Sequence, residues 1–179
     1  MERVLRHSFC FNIIIEKEDR KMDISFKTKE GRFNYRVGAI MIHEQKVLMM
    51  KDEGSSYFYV PGGRVKINET AETAVLRELK EELGIDGEII RPLWLNQSFF
   101  EENVTHELFH ELCLYYLVDI SKNDGLFTDN TFISKDHEQL FRFEWISFDR
   151  VSQEYLYPSF LKKKIFHLPE HLEILCEYE

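Results

Sequence analysis

Cysteine, proline and long apolar runs are all scarce in this 179-residue sequence. The three cysteines, Cys10, Cys113 and Cys176, are odd in number and far apart, with no CxxC pair and no histidine at zinc-finger spacing. That argues against a disulfide framework and predicts reduced thiols in the cytoplasm. No apolar run approaches the roughly 20 residues a membrane-spanning helix needs, so no membrane partner is expected. Basic charge is short as well: 23 Lys and Arg stand against 32 Asp and Glu, a net charge of −9. Such a surface repels nucleic-acid backbones and makes a nucleic-acid partner a poor match.

What is present suits a folded domain. Hydrophobic residues make up 44% of the chain and aromatics 14%, enough for a substantial core. In residues 1–21, Arg3 and Arg6 precede the apolar "SFCFNIII", but "EKEDRK" follows where a small-residue cleavage site would stand. This segment reads as an extension of unassigned role, and residues 22–179 as a single domain. Within the domain, "ISFKT", "NYRVGAIMI" and "KVLMMK" read as strands joined by polar turns. "YFYV" is stopped by Pro61 and a glycine pair. A helix is expected from a cap at Asn68, Glu69 or Thr70 to about Leu83, with Gly84 at its end. "EIIRPLWLNQSFF" and "HELFHELCLYYLVDI" read as long strands, the second apolar on both faces and therefore central. Residues 121–138 read as a polar loop, "FRFEWISF" as a last strand and "SFLKKKIFHL" as a short terminal helix.

The helix carries the chemistry. At about 100° per residue, Val75, Leu76, Leu79 and Leu83 form an apolar stripe, while Glu78, Glu81 and Glu82 share an adjacent arc. Like charges three and four residues apart cost helix stability, and Arg77 and Lys80 offset only part of this. A hard divalent cation, which takes oxygen ligands and leaves positions to water and phosphate, would remove the conflict. The competing explanation is a solvated acidic surface. Against it stand the glycine pair Gly62 and Gly63, Glu69 and Arg77, each at a set distance from the cluster.

Gly63, five residues, Glu69, seven residues and then "RELKEELGI" resemble the Nudix box, GX5EX7REUXEEXGU, where U is a bulky aliphatic residue. Every fixed position matches, with Leu79 and Ile85 at the U positions. "YVPGG" before the box and "FEWISF" after it are similar to the family's flanking strands. The resemblance implies an α/β fold, a Nudix-like α/β/α sandwich with a mixed β-sheet. It also implies a Mg²⁺- or Mn²⁺-dependent pyrophosphohydrolase, in which water attacks phosphorus to cleave a nucleoside diphosphate linked to another moiety. Glu78, Glu81 and Glu82, with the Gly63 carbonyl, match the metal-binding positions. Arg77 and Glu69 match an ion pair that orients them.

In several relatives a further carboxylate just ahead of the last core strand acts as the base. Asp136, His137 and Glu138 lie there, Glu144 follows on the strand, and Glu138 is favoured; a helix glutamate such as Glu81 is the other choice. Arg36 and Arg64 are candidates for phosphate contact, and Phe58 and Tyr59 for stacking on a base. A small nucleotide is the expected partner, and a homodimer is compatible with the resemblance. The alternative function is a non-catalytic nucleotide-sensing module on the same fold.

Overall fold

A computed structural model describes residues 22–102, 105–127, 129–136 and 139–178. Eleven strands, three helices and one 3₁₀ turn are described. In chain order they are β1 (Ser25–Lys27), β2 (Arg32–Ile40), β3 (Ile42–His43), β4 (Lys46–Asp52), β5 (Phe58–Tyr59), α1 (Ala71–Leu83), β6 (Glu88–Glu101) and β7 (Leu108–Asp119). The 3₁₀ turn (Asp124–Phe127) follows, then β8 (Thr131–Asp136), β9 (Gln139–Ser147), α2 (Phe148–Val151), β10 (Leu156–Tyr157), α3 (Leu161–Lys164) and β11 (Glu173–Tyr178).

Two mixed sheets form the middle layer. One has the order β1-β2-β7-β6-β11; the other runs β10-β5-β4-β9-β8, with β3 paired to β4. The α/β/α layering therefore holds, but the single expected sheet is divided in two. β7 is central as predicted, parallel to β2 and antiparallel to β6. α1 packs on one side through Ala71, Ala74, Val75 and Leu79, against Val37, Ala39, Leu48 and Phe143 from both sheets. On the other side Ile40, Val47, Trp94, Tyr115 and Ile146 pack with Val151, Leu156 and Leu161. The stripe of large apolar residues anticipated on α1 thus includes its alanines, which are small because they lie against the sheet.

Two sequence expectations need correction. Residues 121–138 are not one loop: Thr131–Asp136 forms β8, antiparallel to β9. The chain also does not end on the "LKKK" helix, because Glu173–Tyr178 adds a strand parallel to β6. β11 escapes a local reading because its pairing partner lies about eighty residues earlier in the chain and its outer face is exposed.

An aromatic row crosses the first sheet, one ring per strand. Phe26 stacks on Phe33 at 5.2 Å, Phe33 meets His110 at 5.6 Å, His110 meets Phe99 at 4.4 Å, and Phe99 stacks on Tyr178 at 4.9 Å. Each of these pairs is also a register pair.

α1 is set by its ends as well as its stripe. The Thr70 side chain accepts from the Thr73 N–H, and Gly84 closes the helix in the left-handed region (φ 70) while its N–H donates to the Lys80 carbonyl. Leu79 is fully buried between helix and sheets. Leu79→Ala should cost about 2–5 kcal/mol through lost transfer energy and the cavity left behind; a fall in the urea midpoint at constant m-value checks this.

Candidate active site

Residues 60–66 bring the glycine pair to the helix. This segment lies alongside β2: Ala39 N–H donates to Pro61 O (2.8 Å), Val37 N–H to Gly63 O (2.9 Å) and Val65 N–H to Tyr35 O (3.0 Å). Gly62 has φ 144, and a side chain there would sit 2.2 Å from the Val37 carbonyl oxygen. A Cβ on Gly63 would lie 2.3 Å from Cδ of Glu78. The box needs glycine here because a carboxylate occupies the space a side chain would fill.

Arg77 gathers the acids. Its Nε donates to Glu69 Oε1 (2.7 Å) and its Nη2 to Glu69 Oε2 (3.0 Å), a bidentate pair. Nη2 also donates to the Arg64 carbonyl (3.0 Å), while Nη1 reaches Glu78 Oε1 (2.7 Å) and Glu81 Oε2 (2.8 Å). Glu69 in turn accepts from the Lys66 backbone N–H (2.9 Å), which fixes it to the loop. Glu82, buried in the same arc, accepts from the Gly62 N–H at 3.1 Å, and Lys66 lies 3.7 Å from Glu81. Glu78, Glu81, Glu82, Arg77, Glu69 and Gly63 therefore lie together in the structure.

The charges respond to this crowding. Hydrogen bonds from Arg77 hold the Glu69 carboxyl below its usual pKa, against the opposing effect of burial. Burial raises the Glu78 pKa, with the neighbouring Glu81 adding to it and Arg77 opposing. For Arg77 burial acts downward, and the bonds to Glu69 and Glu78 more than reverse it, so its pKa is raised.

The other candidates divide. Arg36 lies close by, its Nη2 3.5 Å from the Gly62 carbonyl. The Arg64 side chain instead turns to Asp23, 3.7 Å away, and its backbone carbonyl serves Arg77. Tyr59 is half-buried, and its hydroxyl pKa is raised by burial and then by Asp52 and Glu82. Phe58 is a correction: it is buried in the core, with the Lys51 ammonium 4.7 Å from its ring centroid. Glu138 and His137 lie outside the described residues. Glu144 is buried and spent on Arg142 (3.0 Å) and Arg150 (2.7 Å). Among the residues not foreseen, Tyr57, Tyr155 and Tyr157 cluster with ring centroids 5.0–5.8 Å apart. A hollow of about 690 Å³, lined by Phe26, Phe33, Phe99, Phe100 and Phe109, opens toward the β6–β7 hairpin and contains none of the box residues.

The donor set fits a hard cation. Three helix carboxylates and a backbone carbonyl supply oxygen only, and Glu78 is seated against a glycine cradle that admits nothing larger. As the side chains stand, the Arg77 guanidinium bridges Glu78 and Glu81, and no preformed three-acid metal cluster is found among the described residues.

The NUDIX domain model matches residues 32–168. A nudix hydrolase of Caenorhabditis elegans is 38% identical over 69 residues, 35% of this chain and 19% of that protein. An 8-oxo-dGTP diphosphatase of Proteus vulgaris is 34% identical over 77 residues, 42% of this chain and 62% of that protein. The matched stretches therefore span less than two thirds of both relatives. In fold, the MutT mutator protein of Bacillus halodurans superposes with a TM-score of 0.57 at 15% identity, over 81% of this chain and 89% of that one. The chain belongs to the NUDIX hydrolase family.

Glu69 supplies a pH signature. Its folded pKa is lowered, so its contribution to stability is present above the unfolded carboxylate pKa and is lost as pH falls through the folded one. Urea midpoints of metal-free protein should fall between about pH 5 and pH 3, with a shallower fall in Glu69→Gln; equal slopes in the two proteins would refute the assignment.

Proposed function

We propose that this chain is a metal-dependent pyrophosphohydrolase that cleaves a nucleoside diphosphate linked to another moiety, with a small nucleotide as substrate. The observation that carries this reading is the set of glutamates held by one arginine against Gly63. The diphosphatase activity in the name of the Proteus vulgaris relative agrees with it.

Glu78, Glu81 and Glu82, with the Gly63 carbonyl, would hold Mg²⁺ or Mn²⁺. Once bound, the metal would neutralise diphosphate charge and acidify water. Arg77 and Glu69 act as positioning residues, since their bonds hold the helix carboxylates to the loop. Arg36, beside Gly62, supplies positive charge to the substrate, and Tyr59 offers a ring face. The proton of the attacking water passes to a carboxylate, Glu81 or Glu138.

Residues 22–179 are proposed to act as one domain, supported by β11 pairing with a strand from the middle of the chain. The cytoplasm is the proposed location, in keeping with the free thiols of Cys113 and Cys176. Among the described residues, no helix is long and apolar enough to cross a membrane.

The test is product formation from nucleoside triphosphates, nucleotide sugars, ADP-ribose and dinucleoside polyphosphates, with Mg²⁺, Mn²⁺ or chelator. Turnover should require metal and fall by about 10²-fold or more in Glu81→Gln, the scale of a lost proton-transfer group. Tight metal-dependent nucleotide binding without turnover of any substrate would point instead to a sensing module.

A further inference from the structure

The sheet face opposite α1 changes character along its length. At the level of Gly38, Tyr115 and Trp94 it is apolar and covered by Phe160. One step nearer the β6–β7 hairpin the register row is Arg36, Cys113, Asn96; the next is Asn34, Glu111, Ser98. Asn34, Asn96 and Ser98 are 2%, 1% and 7% exposed. Buried polar groups are costly unless they are hydrogen-bonded, and the Oδ1 of Asn96 is not.

The unspent capacity is specific. Asn34 Oδ1 accepts from the Ser25 hydroxyl (2.6 Å), which turns its Nδ2 to Glu111 Oε2 (3.3 Å). Glu111 is thereby held with its other oxygen unused among the described residues. Asn96 Nδ2 donates to Glu177 (2.9 Å), but its buried Oδ1 has no partner there. Arg36 lies within electrostatic reach of Glu111 and Glu82, yet among the described residues its one hydrogen bond is the long contact to the Gly62 carbonyl. A guanidinium carries five N–H donors. The surface therefore offers unused acceptors beside unused donors, and Arg36 lies near enough to Tyr57 and Tyr59 to act on their hydroxyls, opposing the upward effect of burial on their pKa values.

Position supplies the scale. Val37 bonds to Gly63, and Asn34 lies three residues back along the same strand, about 10 Å at the rise of a β-strand. That is comparable to the reach of a nucleoside from its phosphate to the far edge of its base. Resting on the nucleotide-site reading above, we propose that Glu111 and Arg36 read the base of the substrate and select guanine. The guanine edge places a carbonyl acceptor next to two adjacent N–H donors, so Arg36 donates to the carbonyl while Glu111 accepts from the donors. Adenine and cytosine each present one amino group beside ring acceptors, and the uracil imide N–H is flanked by two carbonyls; both arrangements set lone pairs against the carboxylate. Asn34 is a positioning residue that orients Glu111.

The test separates base reading from hydrolysis by using monophosphates, which have no diphosphate to cleave. GMP, IMP, AMP and CMP are titrated calorimetrically into the full chain, Glu111→Gln and Glu81→Gln. The wild type should bind GMP about ten-fold more tightly than IMP, which lacks the exocyclic amine, and more tightly than AMP or CMP. Glu111→Gln should bring GMP and IMP within about two-fold of each other while its urea midpoint stays near wild type. Should it lose stability instead, the charge-preserving Glu111→Asp serves as the second variant, and it should shrink the GMP-to-IMP ratio. Glu81→Gln should keep the ratio. Equal binding of all four bases by wild type, no binding of any, or a GMP-to-IMP ratio untouched in the Glu111 variants overturns the assignment. Loss of metal-dependent turnover with the ratio intact would count against the hydrolase reading and leave base reading standing.

Discussion

One guanidinium holds the candidate active site together. Arg77 stands among carboxylates whose mutual repulsion would otherwise push the last turns of α1 away from the loop. Its planar fork satisfies Glu69 with two parallel bonds and still has donors for Glu78, Glu81 and the Arg64 carbonyl. A lysine carries comparable charge but could not span this set, because its ammonium is a single point. Removing the arginine would leave several acids partly buried without compensation, which is more costly than the loss of any one contact.

The position of that guanidinium follows from packing on both sides. Leu79 and Val75 fix the rotation of α1 against the sheets, so Arg77 and the glutamates project toward residues 60–66 rather than to open solvent. The loop in turn is fixed by its backbone bonds along β2. Glu82 and Glu69, bonded to Gly62 N–H and Lys66 N–H, pin it at two points to the charged cluster. Helix, loop and strand constrain one another, and the glycine pair allows them to come this close.

Much of this was legible in the sequence because its determinants are local. The box spans 23 residues, the helical period sorts Leu79 from Glu78 without any knowledge of partners, and Thr70 and Gly84 mark the ends of α1. What stayed hidden depends on long-range register. Asn34 and Glu111 meet only because β2 and β7 pair in parallel across 77 positions, and in the sequence Glu111 is one of two acids in a mostly apolar strand. Phe58 and Tyr59 look equivalent as neighbours, but strand alternation sends the first into the core. β8 was missed because its polar residues match the composition of a loop, and β9 supplies the pairing that makes it a strand.

The aromatic row across β1, β2, β7, β6 and β11 bears on how this sheet finds its alignment during folding. Parallel and antiparallel pairs alternate in it; short connections join the two antiparallel pairs, but the partners in the parallel pairs, Phe33 with His110 and Phe99 with Tyr178, are nearly eighty positions apart, so no tight turn dictates those two offsets. Sliding β2, β7 or β6 by a single position would turn its ring to the opposite side and break contacts with both neighbours at once, and sliding an edge strand would break its one contact. The rings thus act as a vernier: the β1–β2 pair, the β6–β7 pair and β11 agree at only one setting, the one that brings all five rings into line.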